Sequence, residues 1–106
     1  MPLLVARLGG LAAAPSIGPE KVRTAFPNGV ESEFRTLFFE CAQTYSQANI
    51  LALSSFVPST QIMFGTDYNR FPIDHAVQQF ENLKLDAAMS KAIARENAVT
   101  LFPRLK

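Results

Sequence analysis

The sequence is poor in the cysteines that cross-link small extracellular domains and in the cysteines and histidines that bind structural zinc. Its 106 residues include one cysteine, Cys41, one histidine, His75, and no tryptophan. A single cysteine cannot form an internal disulfide bond, and no Cys/His cluster with zinc-finger spacing is present. These absences exclude a disulfide scaffold and a zinc finger, and they make a reducing, cytoplasmic environment the default expectation.

A strong charge of either sign is also missing. Ten Lys and Arg residues against nine Asp and Glu residues give a formal net charge of +1. No basic run is available to bind nucleic-acid phosphates or an anionic membrane surface. The first apolar stretch, residues 1–14, is broken by Arg7 and by two glycines, so it is too short to span a bilayer. It also lacks the charged leading segment of a signal peptide. We therefore expect neither a nucleic-acid partner nor membrane association.

The residues that are present predict helices alternating with short strands. Hydrophobic residues make up 48% of the chain, enough for a small core. Apolar residues at helical spacing and capping residues predict five main helices: residues 2–13, a short one opening at Pro19, one from Ser46 to Phe56, one capped by Asp74, and one capped by Asp86 that continues to Phe102. Two apolar runs, 37–42 and 61–66, predict strands.

Strands that alternate with helices predict α/β architecture with a parallel sheet. Two strands cannot close a barrel, and both would be edge strands with unpaired main-chain groups. The chain also opens in an apolar helical pattern with no capping residue before it. These features favour the expectation that the chain is part of a larger domain and that sequence is missing before Met1.

The second strand candidate ends in the most informative segment. A continuous apolar run, typical of a strand covered on both faces, leads to Gly65 and then to Asp67. In parallel α/β folds, ligands and catalytic groups lie at the carboxyl ends of strands. From the residues alone, Asp67 is a metal ligand, a general base or a turn-capping residue.

Four segments in order resemble one enzyme family. Residues 2–8 resemble its helix after strand six, Leu37-Phe-Phe-Glu-Cys-Ala42 its F-Y-Y-D-T-A strand, Ile62-Met-Phe-Gly-Thr-Asp67-Tyr its last strand, and Asn97-Ala-Val-Thr-Leu-Phe102 its N-A-x-x-L-F helix. The chain thus resembles the C-terminal third of an amidohydrolase-related metal-dependent enzyme. The branch is that of aminocarboxymuconate-semialdehyde decarboxylase and the aromatic-acid decarboxylases.

The resemblance implies a partial (β/α)8 TIM barrel, with residues 1–106 supplying the C-terminal two strands and their flanking helices. It implies a divalent metal, usually zinc, whose histidine ligands lie on strands that this chain lacks. It also implies a carboxy-lyase or hydrolase acting on a small cyclic or aromatic carboxylic acid. We expect no activity from these residues alone, because one carboxylate cannot hold a catalytic zinc.

By the same resemblance, Asp67 matches the last-strand aspartate that binds the metal and handles a proton. Glu40 stands where the family strand has its aspartate, so a role in the substrate pocket is implied. Tyr68 and Arg70 follow Asp67 on the loop and are further candidates for substrate contact. The Arg70 guanidinium suits a substrate carboxylate, and an exposed loop arginine without a partner is the alternative.

A non-catalytic role is the rival hypothesis. In that case the chain is a remnant whose open sheet edges pair with another chain, giving self-association or a homo-oligomer. Cys41 is expected to be a buried strand residue, and His75 a solvated residue at a helix start.

Overall fold

The computed structural model of the chain describes residues 2–106. These residues form two compact units that divide between Leu37 and Phe38. Within the described residues no helix is both long and apolar enough to cross a bilayer.

The first unit is entirely helical. It contains α1 (Pro2–Gly10) with a 3-10 turn (Leu11–Ala13), α2 (Gly18–Ala25) and α3 (Val30–Phe34). Pro19 lies in the first turn of α2, where a helix does not need the N–H that proline lacks. Val5 of α1 and Val30 of α3 are buried. The helices predicted in this region are confirmed.

The second unit carries the sheet. Its elements are β1 (Phe39–Glu40), α4 (Gln47–Ser54), β2 (Ile62–Met63), α5 (Ile73–Glu81), α6 (Ala87–Lys91), a π-helical segment (Ala92–Glu96) and α7 (Asn97–Leu101), with 3-10 turns at Ser59–Gln61 and Pro103–Leu105. The strands are parallel, with Phe39 opposite Ile62 and Glu40 opposite Met63. The predicted α/β order and parallel pairing are confirmed.

The strands are shorter than the predicted runs 37–42 and 61–66. Side chains take over the main-chain hydrogen bonds where the ladder stops. The Ala42 N–H donates to the Glu40 carboxylate, at 2.6 Å, and the Gly65 N–H donates to the Tyr45 hydroxyl, at 2.8 Å. An apolar run in the sequence marks a strand but does not reveal where such side chains end it.

Two of the three predicted helix caps are confirmed. Ser46 Oγ accepts from the Asn49 N–H at 3.2 Å, and Asp86 Oδ1 accepts from the Met89 N–H at 2.8 Å. The prediction for Asp74 is wrong, because the extended residue Pro72 is the N-cap of α5. Asp74 lies inside the first turn, where its negative charge interacts favourably with the helix dipole.

The two faces of the sheet differ. Phe39 and Ile62 are buried on one face, and Ile62 is fully inaccessible. On the other face Glu40 is exposed and Met63 is half-buried. The expectation that the second strand is covered on both faces therefore holds for one face only among the described residues.

The outer edge of β2 is closed by the C-terminal helices. The Phe64 N–H donates to the Ile93 carbonyl at 2.9 Å, and Asn97 Nδ2 donates to the Ile62 carbonyl at 2.7 Å. In the π-helical turn the Asn97 N–H bonds Ala92. An α-helical Asn97 would instead bond Ile93, four residues back, so the wider turn makes the Ile93 carbonyl available to the strand.

The prediction that both strands are open edges is thus wrong for β2. It holds for β1 within residues 2–106, because these residues add no third strand to the sheet. The Cys41 N–H bonds the Met63 carbonyl at 3.2 Å, so the main chain of the preceding residue, Glu40, faces the other edge.

Candidate functional site

The candidate site is the carboxyl end of the two parallel strands. Glu40 is the last residue of β1, and the loop after β2 carries Asp67, Tyr68 and Arg70. All four are exposed, Tyr68 to 73%. The structure therefore brings the predicted residues to the same end of the sheet, although both of its strands are only two residues long.

The Asp67 carboxylate is not a turn cap. Its main-chain carbonyl holds the turn, accepting from the N–H groups of Arg70 (2.9 Å) and Phe71 (3.2 Å). Within residues 2–106 no hydrogen bond uses the Asp67 carboxylate. The backbone of Asp67 is left-handed, with φ of 54°, a conformation that only glycine adopts without cost. The roles of metal ligand and general base stay predictions.

Glu40 lies directly over the loop that leads to Asp67. A Cβ built on Gly65 would overlap the end of the Glu40 side chain, so any larger residue there would require Glu40 to move. The same oxygen accepts from Ala42, which fixes the carboxylate against its own strand end. A pocket role for Glu40 stays a prediction.

Tyr45 is a residue of this site that the sequence did not reveal. It lies after β1, is only 8% exposed, and its hydroxyl donates to the Gly65 carbonyl and accepts from the Gly65 N–H, both at 2.8 Å. The ring stacks on Phe64 and meets Phe80 edge-on, with centroids 5.6 and 5.7 Å away. Twenty residues separate Tyr45 from Gly65, so no local pattern marks the pair.

A second side chain from the same loop reaches the β2 end. Gln43 Nε2 donates to the Thr66 carbonyl at 3.4 Å, and Thr66 Oγ1 accepts from the Tyr68 N–H at 3.2 Å. Gln43 itself has a left-handed backbone, with φ of 59°. The loop after β1 thus supports the loop after β2 one residue before Asp67.

Burial sets the protonation of the two buried titratable groups here. It raises the pKa of Cys41 to about 11, with the nearby Glu40 charge adding to the effect. It also raises the pKa of Tyr45 to about 12, against a smaller lowering by the bond to Gly65. Cys41 is therefore a neutral thiol at physiological pH and a poor nucleophile, consistent with the predicted buried strand residue.

The described residues do not hold a metal by themselves. No three His, Cys, Asp or Glu side chains cluster anywhere in residues 2–106. His75 is exposed on α5, with its ring 6.2 Å from that of Phe71. A catalytic zinc takes three protein ligands and an open position. Asp67 could therefore supply no more than one of these ligands.

A surface cavity of about 310 Å³ is present in the second unit. Its lining contains none of the four predicted site residues and consists of Tyr45, Ser46, Gln47, Gln79, Asn82, Leu83 and Lys84. Because Asp67 is not among them, this cavity is distinct from the predicted substrate pocket.

No protein-family model matches the chain, and no curated protein matches it. A solved structure does: the dihydroxybenzoic acid decarboxylase of Polaromonas sp. JS666, with bound manganese and the inhibitor 2-nitroresorcinol. The TM-score is 0.68 with 22% identity, over 99% of this chain and 31% of that one.

The chain has the fold of part of a TIM-barrel enzyme. The predicted likeness to the aromatic-acid decarboxylase branch is confirmed at the level of the fold. The chain spans about a third of the length of the structure that it matches. Zinc as the metal and the roles of Glu40, Asp67, Tyr68 and Arg70 stay predictions.

Proposed function

We propose that the chain is the C-terminal part of a metal-dependent TIM-barrel enzyme acting on a small aromatic carboxylic acid, and that Asp67 supplies one ligand to a divalent metal. The observation that carries the proposal is the exposed Asp67 carboxylate, free of hydrogen bonds within residues 2–106, at the carboxyl end of a parallel strand. Barrel enzymes of this class carry their active sites at that end.

The fold likeness favours the carboxy-lyase alternative over the hydrolase. The matched decarboxylase holds manganese, and a carboxylate oxygen suits manganese as well as zinc. Since residues 2–106 contain no cluster of three ligands, the remaining donors have to come from other strands of a barrel. We therefore expect no turnover from this chain alone.

The loop after Asp67 has the chemistry to receive the substrate. Arg70 is exposed, and its planar guanidinium would pair with a carboxylate through two parallel hydrogen bonds. The Tyr68 ring, 73% exposed, offers an aromatic surface to a ring-shaped acid. Glu40 adds a carboxylate from the neighbouring strand end.

A chimera tests the metal ligand directly. In it, this chain replaces the matched 31% of the Polaromonas enzyme, and bound metal is counted by mass spectrometry after dialysis. We expect one Mn²⁺ or Zn²⁺ per chain, loss of that metal in Asp67→Asn, and full retention in Asp74→Asn. Asp74 is the matched control because it is also an exposed carboxylate in the second unit.

Thermal unfolding of each chimera establishes that it folds before metal is counted. Metal retained by Asp67→Asn would contradict the proposal. So would a chimera that melts cooperatively and binds no metal at all. Decarboxylation of dihydroxybenzoic acids by the metal-loaded chimera, and none by the 106-residue chain, is the expected activity result.

The rival role as an interaction module has its own support. The main chain of Glu40 faces an edge of β1 where residues 2–106 provide no further strand. If two copies paired these edges about a two-fold axis beside Glu40, the two Glu40 residues would face each other, and like charges opposite one another destabilise strand pairing. Glu40→Gln should therefore increase the dimer fraction in light scattering, whereas Glu31→Gln, on α3, should not. Monomers in every variant would rule out this mode of self-association.

A further inference from the structure

The Tyr45 hydroxyl is the main connection between the two loops of the candidate site. Both of its hydrogen bonds go to Gly65, two residues before Asp67. We propose that Tyr45 is a positioning residue, which fixes the carboxyl end of β2 and thereby the direction of the Asp67 carboxylate. This inference rests on the proposed function, because it concerns the same carboxylate.

Gly65 needs such a partner because the ladder stops before it. The last paired residue of β2 is Met63, and the Phe64 N–H is bonded to the helix carbonyl of Ile93. Without the Tyr45 hydroxyl, the N–H and the C=O of Gly65 would both lose their partner. Gly65 is half-buried, and main-chain groups that lose their partner there are destabilising, so the loop would move to find water or another bond.

The hydroxyl is well placed to resist that movement. The Tyr45 ring packs against Phe64 and Phe80, at centroid distances of 5.6 and 5.7 Å, and the two Phe rings contact each other at 5.4 Å. Glu40 covers the Cα of Gly65 and would have to move to admit a side chain there. Gly65 is therefore held through its main chain by Tyr45 and covered by a carboxylate.

We infer that the hydrogen bonds from Tyr45 to Gly65 maintain the backbone conformation of Asp67. Its left-handed conformation, φ 54°, persists only where surrounding structure imposes it. The supports upstream are the bonds of Tyr45 to Gly65 and the longer bond of Gln43 to Thr66. Removing the shorter pair should release Asp67 into the extended or right-handed conformations that a non-glycine residue prefers.

The test is Tyr45→Phe in the 106-residue chain, which removes one oxygen atom and keeps the ring. The matched control is Tyr68→Phe, the same change at the other tyrosine of the chain, which is 73% exposed. We expect Tyr45→Phe to lower the heteronuclear NOE of the Gly65, Thr66 and Asp67 amides. The Asp67 backbone coupling constant should also leave its left-handed value, with helix α5 unchanged. Tyr68→Phe should leave both measurements as they are.

Retained order at these three amides in a folded Tyr45→Phe would overturn the inference, and so would an equal loss of order throughout the second unit. A measurement on the unmodified chain provides a check if the variant does not fold. The Gly65 amide should exchange with solvent as slowly as the Cys41 amide, which has a strand partner. Fast exchange at Gly65 would overturn the inference as well.

The chimera separates this inference from the proposed function. If both hold, Tyr45→Phe should weaken Mn²⁺ binding about tenfold or more, as is common when a group supporting a ligand is removed. Metal retained by Asp67→Asn contradicts the proposed function and leaves the ordering result standing. Metal lost from Asp67→Asn while Tyr45→Phe changes neither order nor affinity overturns the inference alone.

Discussion

Asn97 offers the sharpest test of how the sheet is held. It is 6% exposed, and its Nδ2 donates to the Ser59 and Ile62 carbonyls, both at 2.7 Å. Asn97→Ala removes both bonds and leaves the Ile62 carbonyl without a partner, whereas the Ser59 carbonyl keeps its bond from the Ile62 N–H. At about 1 to 2 kcal/mol for each lost bond, the free energy of unfolding should fall by about 2 to 4 kcal/mol. That is a large fraction of the stability of a small domain.

Urea unfolding followed by circular dichroism measures this loss. With a slope of about 1 kcal/mol per molar urea, the midpoint should fall by about 2 M or more. Asn82→Ala is the matched control, because Asn82 is exposed at the end of α5. The free energy of unfolding of Asn82→Ala should stay within about 0.5 kcal/mol of that of the unmodified chain.

Asn97→Asp distinguishes lost hydrogen bonds from lost packing. The new carboxylate keeps the shape of the amide but faces two carbonyl oxygens. Burial and these oxygens should raise the pKa of the new carboxyl above its usual range. A raised pKa in the folded state gives stability that is present below the unfolded pKa of about 4 and is lost as the pH rises through the folded pKa.

The Asn97→Asp variant should therefore be destabilised more at pH 7 than at pH 4, relative to the unmodified chain at the same pH. Equal destabilisation at the two values would refute the argument that donation to Ser59 and Ile62 is what matters. A loss below about 0.5 kcal/mol in Asn97→Ala would refute it too.

Three further predictions concern the loops at the strand ends. In Tyr68→Phe, where Tyr45 is the remaining tyrosine, tyrosinate absorbance should titrate near pH 12 rather than about 10. The raised pKa adds stability below about pH 10, and this stability is lost towards pH 12. A titration midpoint near pH 10 in the folded chain would contradict the prediction. The Cys41 thiol, with its pKa of about 11, should react with a disulfide reagent at pH 8 far more slowly in the folded chain than in urea; equal rates would be the contrary result. Gly65→Ala should cost about 1 kcal/mol, because Glu40 has to move and loses its bond from Ala42. Gly9→Ala, with open space in α1, should gain up to about 1 kcal/mol. Urea midpoints compare the two, and an unchanged midpoint in Gly65→Ala would show that the contact is unimportant.

Local chemistry in the sequence was enough to find most elements. Ser46 and Asp86 cap their helices as predicted because a cap bonds an N–H three residues away. Asp74 is not the cap of α5, because the N-cap is Pro72, an extended residue two positions earlier whose ring fixes φ. The apolar runs marked two strands and their parallel order, and Asp67 follows the second strand as its place in the sequence indicates.

The sequence by itself determined the α/β order, the place of Asp67 at a strand end and the shortage of metal ligands, because each depends on residue types and short spacings. Only the tertiary structure decided which side chains and carbonyls form hydrogen bonds with the main-chain groups at the strand ends and edges. Tyr45 reaches Gly65 across 20 residues, and Asn97 reaches Ile62 across 35. The π-helical turn makes the Ile93 carbonyl available to the strand edge. Such pairings are set by how packed elements meet in space, and no periodicity along the chain encodes them.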